Sequence, residues 1–202
     1  LYMVKPGVGE KIAAFVERGG TFVTTFLSGI VDDHDLCFLG GWPGPLRKTL
    51  GIWSEEIDAI SADEKNGIVI GTNDLGLSGT YESRMFCDQI HPEGAQTIGT
   101  YEKDFYAGKP ALTVNALGKG KAYYIASRME QRFFDDFYRG LENDLSLTRS
   151  LDADLPAGVT AHYRTDGKDR FIFVMNFTNA EQSIALGVKE YGNMLAGGKL
   201  RE

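Results

Sequence analysis

The residue types best suited to bind a ligand stand together in one short segment, Asp32-Asp33-His34-Asp35. Carboxylates and an imidazole are side chains that divalent metal ions take as ligands. Consecutive residues rarely point at one centre, however, and the spacing of a calcium-binding EF-hand, with its glycine and closing glutamate, is missing. We therefore interpret the segment as a solvated acidic loop and predict no metal ion or other cofactor.

Two cysteines, Cys37 and Cys87, are candidate nucleophiles. A thiol nucleophile on an α/β fold needs a tight strand-to-helix turn and a base held nearby. Cys37 stands between Leu36 and Phe38, and Cys87 ends an apparent strand, so both are better interpreted as small buried hydrophobic residues. An independent enzyme that uses a cysteine nucleophile on an amidotransferase-like fold remains the alternative hypothesis.

The carboxylate pairs Glu55-Glu56 and Asp135-Asp136 are adjacent in sequence. Glycoside hydrolysis needs two carboxyl groups that face each other across a sugar, roughly 5 to 9.5 Å apart. Adjacent side chains on a strand or helix diverge, so neither pair fits. The glycine-rich segments Gly7-Val8-Gly9 and Gly118-Lys119-Gly120 lack the remainder of a phosphate-binding motif. No catalytic or cofactor-binding residue is predicted in this chain.

The composition excludes several classes of partner. The 202 residues carry 21 basic and 28 acidic side chains, a net charge of -7. This balance disfavours a nucleic-acid or anionic-membrane partner, which requires a basic patch. No segment approaches the roughly 20 apolar residues that cross a bilayer. The two cysteines cannot form a disulfide scaffold, so we predict a reducing, cytoplasmic location.

The elements that position these residues begin with a strand, a helix and a second strand. Residues 1–4 form an apolar strand-like segment, and because the chain starts within it we expect a piece of a longer protein. Gly19-Gly20 is typical of a helix end, and the run at 21–27 is β-branched and aromatic. This βαβ pattern predicts a parallel-rich sheet. The apolar positions of the helix are Val8, Ile12, Phe15 and Val16.

Hairpins and one more helix are predicted further along. Gly118-Lys119-Gly120 is a hairpin signal between strands at 111–117 and 121–127. Ser127 and Glu130 have the spacing of a capping box, which predicts a helix start. The apolar face of that helix contains Phe133, Phe134, Phe137, Leu141 and Leu145. Earlier strands are predicted at 57–60, 68–70, 81–87 and 95–101.

The composition changes after Leu145, where a polar linker at 146–158 is predicted. Strands are expected at 160–163, 170–176 and 183–186, with a turn at 165–168 and a hairpin turn at 193–198. We therefore predict two domains, an α/β domain at 1–150 and a small antiparallel β domain at 151–202.

An irregular segment at 28–44, followed by a short helix at 45–50, is too long for an ordinary connection. It concentrates apolar and aromatic side chains, and tryptophan and arginine are enriched at interface hot spots. We predict a subunit interface or an active-site rim here. The alternative is that Trp42 covers the core of its own domain. The candidate residues are Phe38, Trp42, Leu46 and Arg47.

Residues 1–47 resemble the trimerisation domain of family 42 β-galactosidases. The block at 35–47, Asp-Leu-Cys-Phe-Leu-Gly-Gly-Trp-Pro-Gly-Pro-Leu-Arg, carries the most specific part of the likeness. Residues 108–111 and 118–126 resemble later parts of that domain, and the closing β module resembles the family's small C-terminal domain. The resemblance covers essentially the whole chain. The start of the family's domain is not matched, so the domain is expected to be truncated at its N-terminus.

The resemblance implies a doubly wound, class I glutamine amidotransferase-like (flavodoxin-like) fold without the amidotransferase active site. The family's enzymes hydrolyse terminal β-D-galactosides with retention, through two glutamates in an N-terminal TIM barrel. No residue here matches either glutamate, so the implied role is non-catalytic: assembly of a homotrimer, with galactoside reached only through the barrel. Arg47 is expected to pair with Asp32, Asp33 or Asp35, or to reach a neighbouring subunit's sugar site.

Overall fold

The computed structural model describes residues 1–187 and 190–200. They form two compact units, Leu1–Leu145 and Ser146–Glu202. The helices are α1 (Val8–Glu17), α2 (Arg47–Leu50), preceded by a 3-10 turn at Gly44–Leu46, and α3 (Gln131–Asp144). The strands of the first unit are β1 (Thr21–Thr25), β2 (Ile52–Ala59), β3 (Asn66–Ile70), β4 (Thr80–Pro92), β5 (Gln96–Tyr101), β6 (Pro110–Leu117), β7 (Gly120–Ile125) and β8 (Ser127–Met129). Those of the second unit are β9 (Val159–Thr165), β10 (Arg170–Asn176), β11 (Tyr191–Gly192) and β12 (Lys199–Leu200).

The eight strands of the first unit form one mixed sheet. Its order is β1-β7-β6-β5-β3-β4-β2, and β8 also pairs with β4. β1 and β7 run parallel, whereas the other named pairs of this sheet are antiparallel. The prediction of a parallel-rich sheet is therefore wrong. Short turns such as the one between Leu117 and Gly120 permit only antiparallel neighbours, because a parallel pair needs a crossover of a dozen residues or more.

The N-terminal βαβ prediction is correct for its helix and second strand only. The first segment makes a single parallel bridge, between Met3 and Val31, and joins no named strand. In α1, Val8 and Ile12 pack against the core and Val16 is fully buried, as predicted. Phe15 differs, because it lies at the surface with its ring over the backbone of Gly20.

The predicted capping box at Ser127 is wrong. Ser127 belongs to β8, and its hydroxyl donates to the carbonyl of Phe86 at 2.6 Å. The carboxylate of Glu130 accepts the backbone N–H of Glu82 at 2.9 Å rather than capping a helix. Both side chains are used by strand β4, so the helix begins only at Gln131. Its predicted apolar face is buried at Phe133, Phe137 and Leu141.

The sheet separates two hydrophobic clusters. Tyr123 and Tyr124 follow each other on β7 and so point to opposite faces. Tyr123 packs in the cluster that contains the α3 phenylalanines, and Tyr124 packs in the one that contains Leu46 of the 3-10 turn and Leu50 of α2. Helices therefore cover both faces, which makes the first unit an α/β structure. No helix among the described residues is long and apolar enough to cross a membrane.

The described residues of the second unit form two small antiparallel sheets. β9 and β10 pair on either side of the predicted turn, from Val159 opposite Asn176 to Thr165 opposite Arg170. The predicted turn at 193–198 is also present, closed by the N–H of Asn193 on the carbonyl of Gly198 at 2.9 Å. The strand predicted at 183–186 is wrong. Its residues alternate in exposure as a strand would, but no described strand pairs with them.

Candidate functional site

The acidic segment folds into a tight turn before the candidate residues. Oδ1 of Asp32 accepts the backbone N–H groups of His34 at 2.8 Å and Leu36 at 3.0 Å, and these bonds lower the pKa of that carboxyl. The ligand atoms of Asp32, Asp33 and His34 lie within 4.8 Å of one another. Asp33 and His34 are exposed, and one oxygen of Asp32 is already occupied by backbone donors. This arrangement is that of a hydrogen-bonded surface turn.

The chain then returns to the domain through a close backbone contact. Gly29 has φ +66°, and a Cβ atom there would lie 2.1 Å from the carbonyl oxygen of Pro43. At Gly44, with φ +49°, a Cβ atom would lie 2.5 Å from the ring of Phe38. Only glycine, which lacks a Cβ atom, tolerates both the left-handed backbone and the close approach of these neighbouring atoms. The two glycines therefore fix the base of the loop and place Phe38, half-buried, against the core.

Leu46 was predicted at an interface, but it is fully buried in the cluster on the α2 side of the sheet. Its side chain packs in the core of its own chain and supports the base of the loop. Leu39, in contrast, is fully exposed, and Leu36 is exposed by 64%. The apolar surface of this loop is therefore made by Leu36 and Leu39, with Phe38 half-buried behind them.

Trp42 is attached to its own domain through its backbone and is partly exposed through its side chain. Its carbonyl accepts the N–H of Ser54 at 2.8 Å, which attaches the loop to the edge of β2. Its side chain is half-buried, and the indole Nε1 is buried without a hydrogen-bond partner among the described residues. Trp42 thus rests partly on its own domain while part of its side chain remains at the surface.

Arg47 pairs with none of the three aspartates expected. Its Nε donates to Oε2 of Glu93 at 2.6 Å and its Nη2 to Oε1 at 2.5 Å, while Nη1 reaches the carbonyl of Gly40 at 3.2 Å. The pair raises the pKa of Arg47 and lowers that of Glu93 through hydrogen bonds between opposite charges. Arg47 therefore locks the loop to the end of β4.

Sequence reasoning missed the residues beside this pair. The Arg47 guanidinium lies 5.9 Å from the ring centroid of Trp53, which stacks on His91 at 4.9 Å. His91 Nε2 in turn lies 2.8 Å from Oε2 of Glu55. Trp53 was detectable as the second tryptophan of the chain, but its stacking partner His91 was not, since His91 lies on the distant strand β4.

A depression of about 470 Å³ adjoins the Arg47–Glu93 pair. It is open and lined by charged and backbone groups, unlike the enclosed and largely apolar pockets that bind small molecules. Its lining residues are Gly44, Pro45, Arg47, Lys48, Gly51 and Glu93.

The two cysteines occupy different environments. Cys87 is buried with its Sγ 3.7 Å from the hydroxyl of Ser127, and desolvation raises the pKa of its thiol. A nucleophilic cysteine needs the opposite shift, because the thiolate is the reactive form. Cys37 was predicted to be buried, but it is exposed on the loop. No hydrogen bond or ion pair joins it to a basic side chain in the part of the chain that the structure describes.

Asp88 is the buried carboxyl group of the described residues. Its Oδ2 accepts the hydroxyl of Tyr124 and lies 3.4 Å from the N–H of Leu27. Burial raises its pKa to about 6. The Tyr101 hydroxyl donates to the carbonyls of Asp88 and Ala126, at 3.0 and 3.1 Å. This network joins β4, β5 and β7, and it contains a single carboxylate where glycoside hydrolysis needs two.

The adjacent carboxylates Asp135 and Asp136 are engaged in structural contacts. Asp136 accepts the hydroxyl of Tyr81 at 2.9 Å and pairs with Arg139 at 3.1 Å, and Asp135 accepts the amide of Gln131 at 2.9 Å. The described carboxylates of α3 therefore bind neighbouring side chains of their own domain.

Comparisons with known proteins divide the chain into two matches. Residues 1–148 match a family model described as the beta-galactosidase trimerisation domain, and residues 158–201 match one described as the beta-galactosidase C-terminal domain. The chain is 51% identical to beta-galactosidase Pbg of Clostridium perfringens over 201 residues, which is 99% of this chain and 29% of that protein. It is 47% identical to beta-galactosidase BglY of Alicyclobacillus acidocaldarius, covering 95% of this chain and 28% of the relative.

Solved structures give the same result. The cold-adapted beta-galactosidase from Rahnella sp. R3 superposes with a TM-score of 0.86 at 50% identity, over 100% of this chain and 30% of that one. The beta-galactosidase from Bacillus circulans sp. alkalophilus superposes with a TM-score of 0.89 at 40% identity, over 99% of this chain and 29% of that one. The chain thus spans under a third of the length of these relatives.

Proposed function

This chain belongs to the β-galactosidase family whose trimerisation and C-terminal domains it matches, and from that premise we propose that it is the non-catalytic assembly part of such an enzyme. The longer protein would hydrolyse terminal β-D-galactosides with retention. This part would hold the subunits in a homotrimer and shape the surroundings of the active site.

The observation that carries this proposal is the match of residues 1–148 to a trimerisation domain, taken with the 29% of the relative's length that the chain covers. A retaining glycosidase needs two carboxyl groups about 5 Å apart. The carboxylates described above contact backbone amides or tyrosine, arginine, glutamine and histidine side chains of the same domain, which supports an assembly role.

The loop is proposed as the part that meets a neighbouring subunit or the rim of its active site. Phe38, Trp42 and Arg47 remain candidates, with Arg47 holding the loop rather than reaching out from it. Leu39 joins them because a fully exposed leucine at a loop tip is what an interface would cover. Leu46 stabilises the position of these residues by packing its buried side chain in the core.

Three finer assignments belong to the same proposal. An amidotransferase-like fold is supported by helices on both faces of the sheet and by the parallel pair β1–β7. A domain boundary at 150/151 is supported by the compact unit that ends at Leu145. A cytoplasmic location is supported by the two free cysteines, and the lack of a nucleic-acid or membrane partner by the net charge of -7.

Two measurements test the proposal together. Sedimentation velocity of a galactosidase of the relatives' length that contains this chain should give a trimer that hydrolyses a chromogenic β-galactoside. The 202-residue chain alone, prepared from a host that lacks its own β-galactosidase, should give no hydrolysis. A fully active monomer, or turnover by the short chain, would contradict the proposal.

One observation favours the alternative of a cysteine-dependent enzyme, namely the exposure of Cys37. Such an enzyme would lose its activity on Cys37→Ser, whereas a galactosidase assembled through this chain would keep it.

A further inference from the structure

A trimer with cyclic symmetry needs two different surfaces on every subunit, because its contacts run head to tail. The loop supplies one of them, with Leu36 and Leu39 exposed beside Asp33 and Asp35. Between residues 19 and 46 the chain has no lysine or arginine, so this surface is apolar and negatively charged. The second surface should therefore be apolar and positively charged.

One flank of α1, beside its buried face, has these properties. Lys11, Phe15 and Arg18 are exposed and follow the helical spacing i, i+4 and i+7, so they lie within about 60° of one another around the axis. Phe15 is 48% exposed, an unusual position for a phenylalanine on an otherwise amphipathic helix. The carboxylates of this helix, Glu10 and Glu17, lie roughly 100° away around it. We call Lys11, Phe15 and Arg18 the α1 stripe.

A further cation extends the α1 stripe. Lys119 is exposed, and its backbone N–H donates to the carbonyl of Glu17 at 3.0 Å, which places it beside the C-terminal end of the helix. Neither Lys11, Arg18 nor Lys119 forms an ion pair with the residues that the structure describes. Positive side chains left unpaired around an exposed ring stand out on a chain with a net charge of -7.

The base of the loop packs against the start of α1, and the α1 stripe runs along the helix from Lys11 to Arg18. Pro45, at the base of the loop, packs against Gly9 near the start of the helix. The α1 stripe reaches Arg18 at its end, about 13 Å further along at 1.5 Å per residue. Both surfaces are exposed at once among the described residues.

We propose that the acidic apolar loop of one copy docks on the α1 stripe of the next, and that this contact closes the trimer head to tail. Leu36 and Leu39 would cover Phe15, and Asp33 and Asp35 would face Lys11 and Arg18. The inference rests on the proposed assembly function and names the surface through which it operates.

Charge reversal in the full-length protein tests this contact. Asp33→Lys with Asp35→Lys reverses the loop, and Lys11→Glu with Arg18→Glu reverses the α1 stripe. Each pair of substitutions alone should weaken trimer association at least about tenfold, because like charges then face each other. All four together restore opposite charges and should return the association constant to within about threefold of wild type.

The matched control exchanges two exposed charges elsewhere, Asp63→Lys with Lys103→Glu, and should leave the trimer intact. Leu39→Ser removes apolar contact without changing charge and should also weaken association. Sedimentation equilibrium at micromolar concentration measures all variants. Their substitutions are at exposed positions, and a melting curve for each verifies that the fold is retained.

The outcomes separate the two proposals. A wild-type protein that sediments as a monomer overturns the assembly function itself. Two results overturn only the loop-to-stripe contact while wild type is a trimer. In the first, either charge-reversed pair leaves the association constant unchanged. In the second, the protein with all four substitutions associates no more tightly than the proteins with one reversed pair.

Discussion

The guanidinium of Arg47 holds the carboxylate of Glu93 through two nitrogens, at 2.6 and 2.5 Å. Arg47 begins α2 and Glu93 follows directly after β4, 46 positions along the chain. A third nitrogen of the same guanidinium donates to the carbonyl of Gly40. One side chain thus joins the loop, the short helix and the end of a strand.

This relationship predicts the effect of Arg47→Ala. The variant should keep its melting temperature, because exposed ion pairs contribute little to overall stability. It should nevertheless be cleaved faster by limited proteolysis between residues 38 and 42, since the loop loses its hydrogen bond at Gly40. Lys48→Ala, at the neighbouring exposed cation, is the control and should not change the cleavage rate. Equal cleavage of both variants would show that Arg47 does not hold the loop.

Trp42 and Leu46 separate assembly from folding. Truncation of a tryptophan at an interface centre typically costs about 2 kcal/mol or more, or roughly thirtyfold in association. We expect Trp42→Ala in the full-length enzyme to shift trimer towards monomer at micromolar concentration. Leu46→Ala should instead destabilise the fold by about 2 to 5 kcal/mol, because it leaves a cavity in the core.

Sedimentation combined with melting curves over a range of protein concentrations distinguishes the two effects. If Trp42→Ala lowers the melting temperature equally at every concentration while the trimer persists, Trp42 serves only the core of its own domain.

Two glycines with similar backbone but different surroundings test the base of the loop. Gly29 and Gly40 both have positive φ, at +66° and +89°. A Cβ atom at Gly40 meets nothing within 4 Å, whereas one at Gly29 lies 2.1 Å from a backbone oxygen. Gly40→Ala should therefore cost only the strain of the left-handed backbone, about 1 to 2 kcal/mol. Gly29→Ala should lower the free energy of unfolding clearly more, as measured by chemical denaturation. Equal losses of stability in the two variants would argue against the close contact between Gly29 and Pro43.

Asp88 predicts a dependence of stability on pH. Desolvation raises the pKa of its carboxyl from 3.8 to about 6 in the folded state, against the hydrogen bond from Tyr124, which lowers it. Between these two values the native state binds more protons than the unfolded state, so this group makes stability fall as the pH rises. Asp88→Asn removes the titration. As the pH rises from about 4 to about 7, the free energy of unfolding of the variant should increase relative to that of wild type by on the order of 3 kcal/mol.

Urea denaturation of both proteins across this range measures the difference. Ser83→Ala, at a buried hydroxyl that does not titrate, is the control and should change stability by the same amount at every pH. A difference between wild type and Asp88→Asn that is flat with pH would mean that Asp88 titrates alike in both states.

The cysteines predict a labelling pattern. A thiol reagent should modify Cys37 rapidly in the native protein and Cys87 only after unfolding, because Cys87 is buried and its raised pKa disfavours the thiolate. Mass spectrometry should find one label on the native chain and two in denaturant. Cys37→Ser should remove the rapid label, and the same substitution in the full-length enzyme should leave galactoside hydrolysis unchanged. Rapid native labelling of Cys37→Ser would place a reactive thiol at Cys87.

Local patterns in the sequence were sufficient where neighbours in the chain decide the structure. The helix α1, the hairpin of β6 and β7, and the turn between β9 and β10 depend on spacing and glycine positions within a few residues. The block at 35–47 likewise carried the family resemblance without any tertiary information. The strand at 183–186 failed because alternation sets the direction of side chains but does not provide a partner strand.

Only the tertiary structure decided which side chains of the loop face outward. Leu39 and Leu46 are the same residue type, seven positions apart in one segment, yet one is fully exposed and the other fully buried. The partner of Arg47 was hidden in the same way, because Glu93 reaches it only through the pairing of β2 with β4. The sequence determined that this segment is apolar, acidic and irregular. What lies opposite each residue is set by strands distant in the chain, and burial and pairing depend on those neighbours.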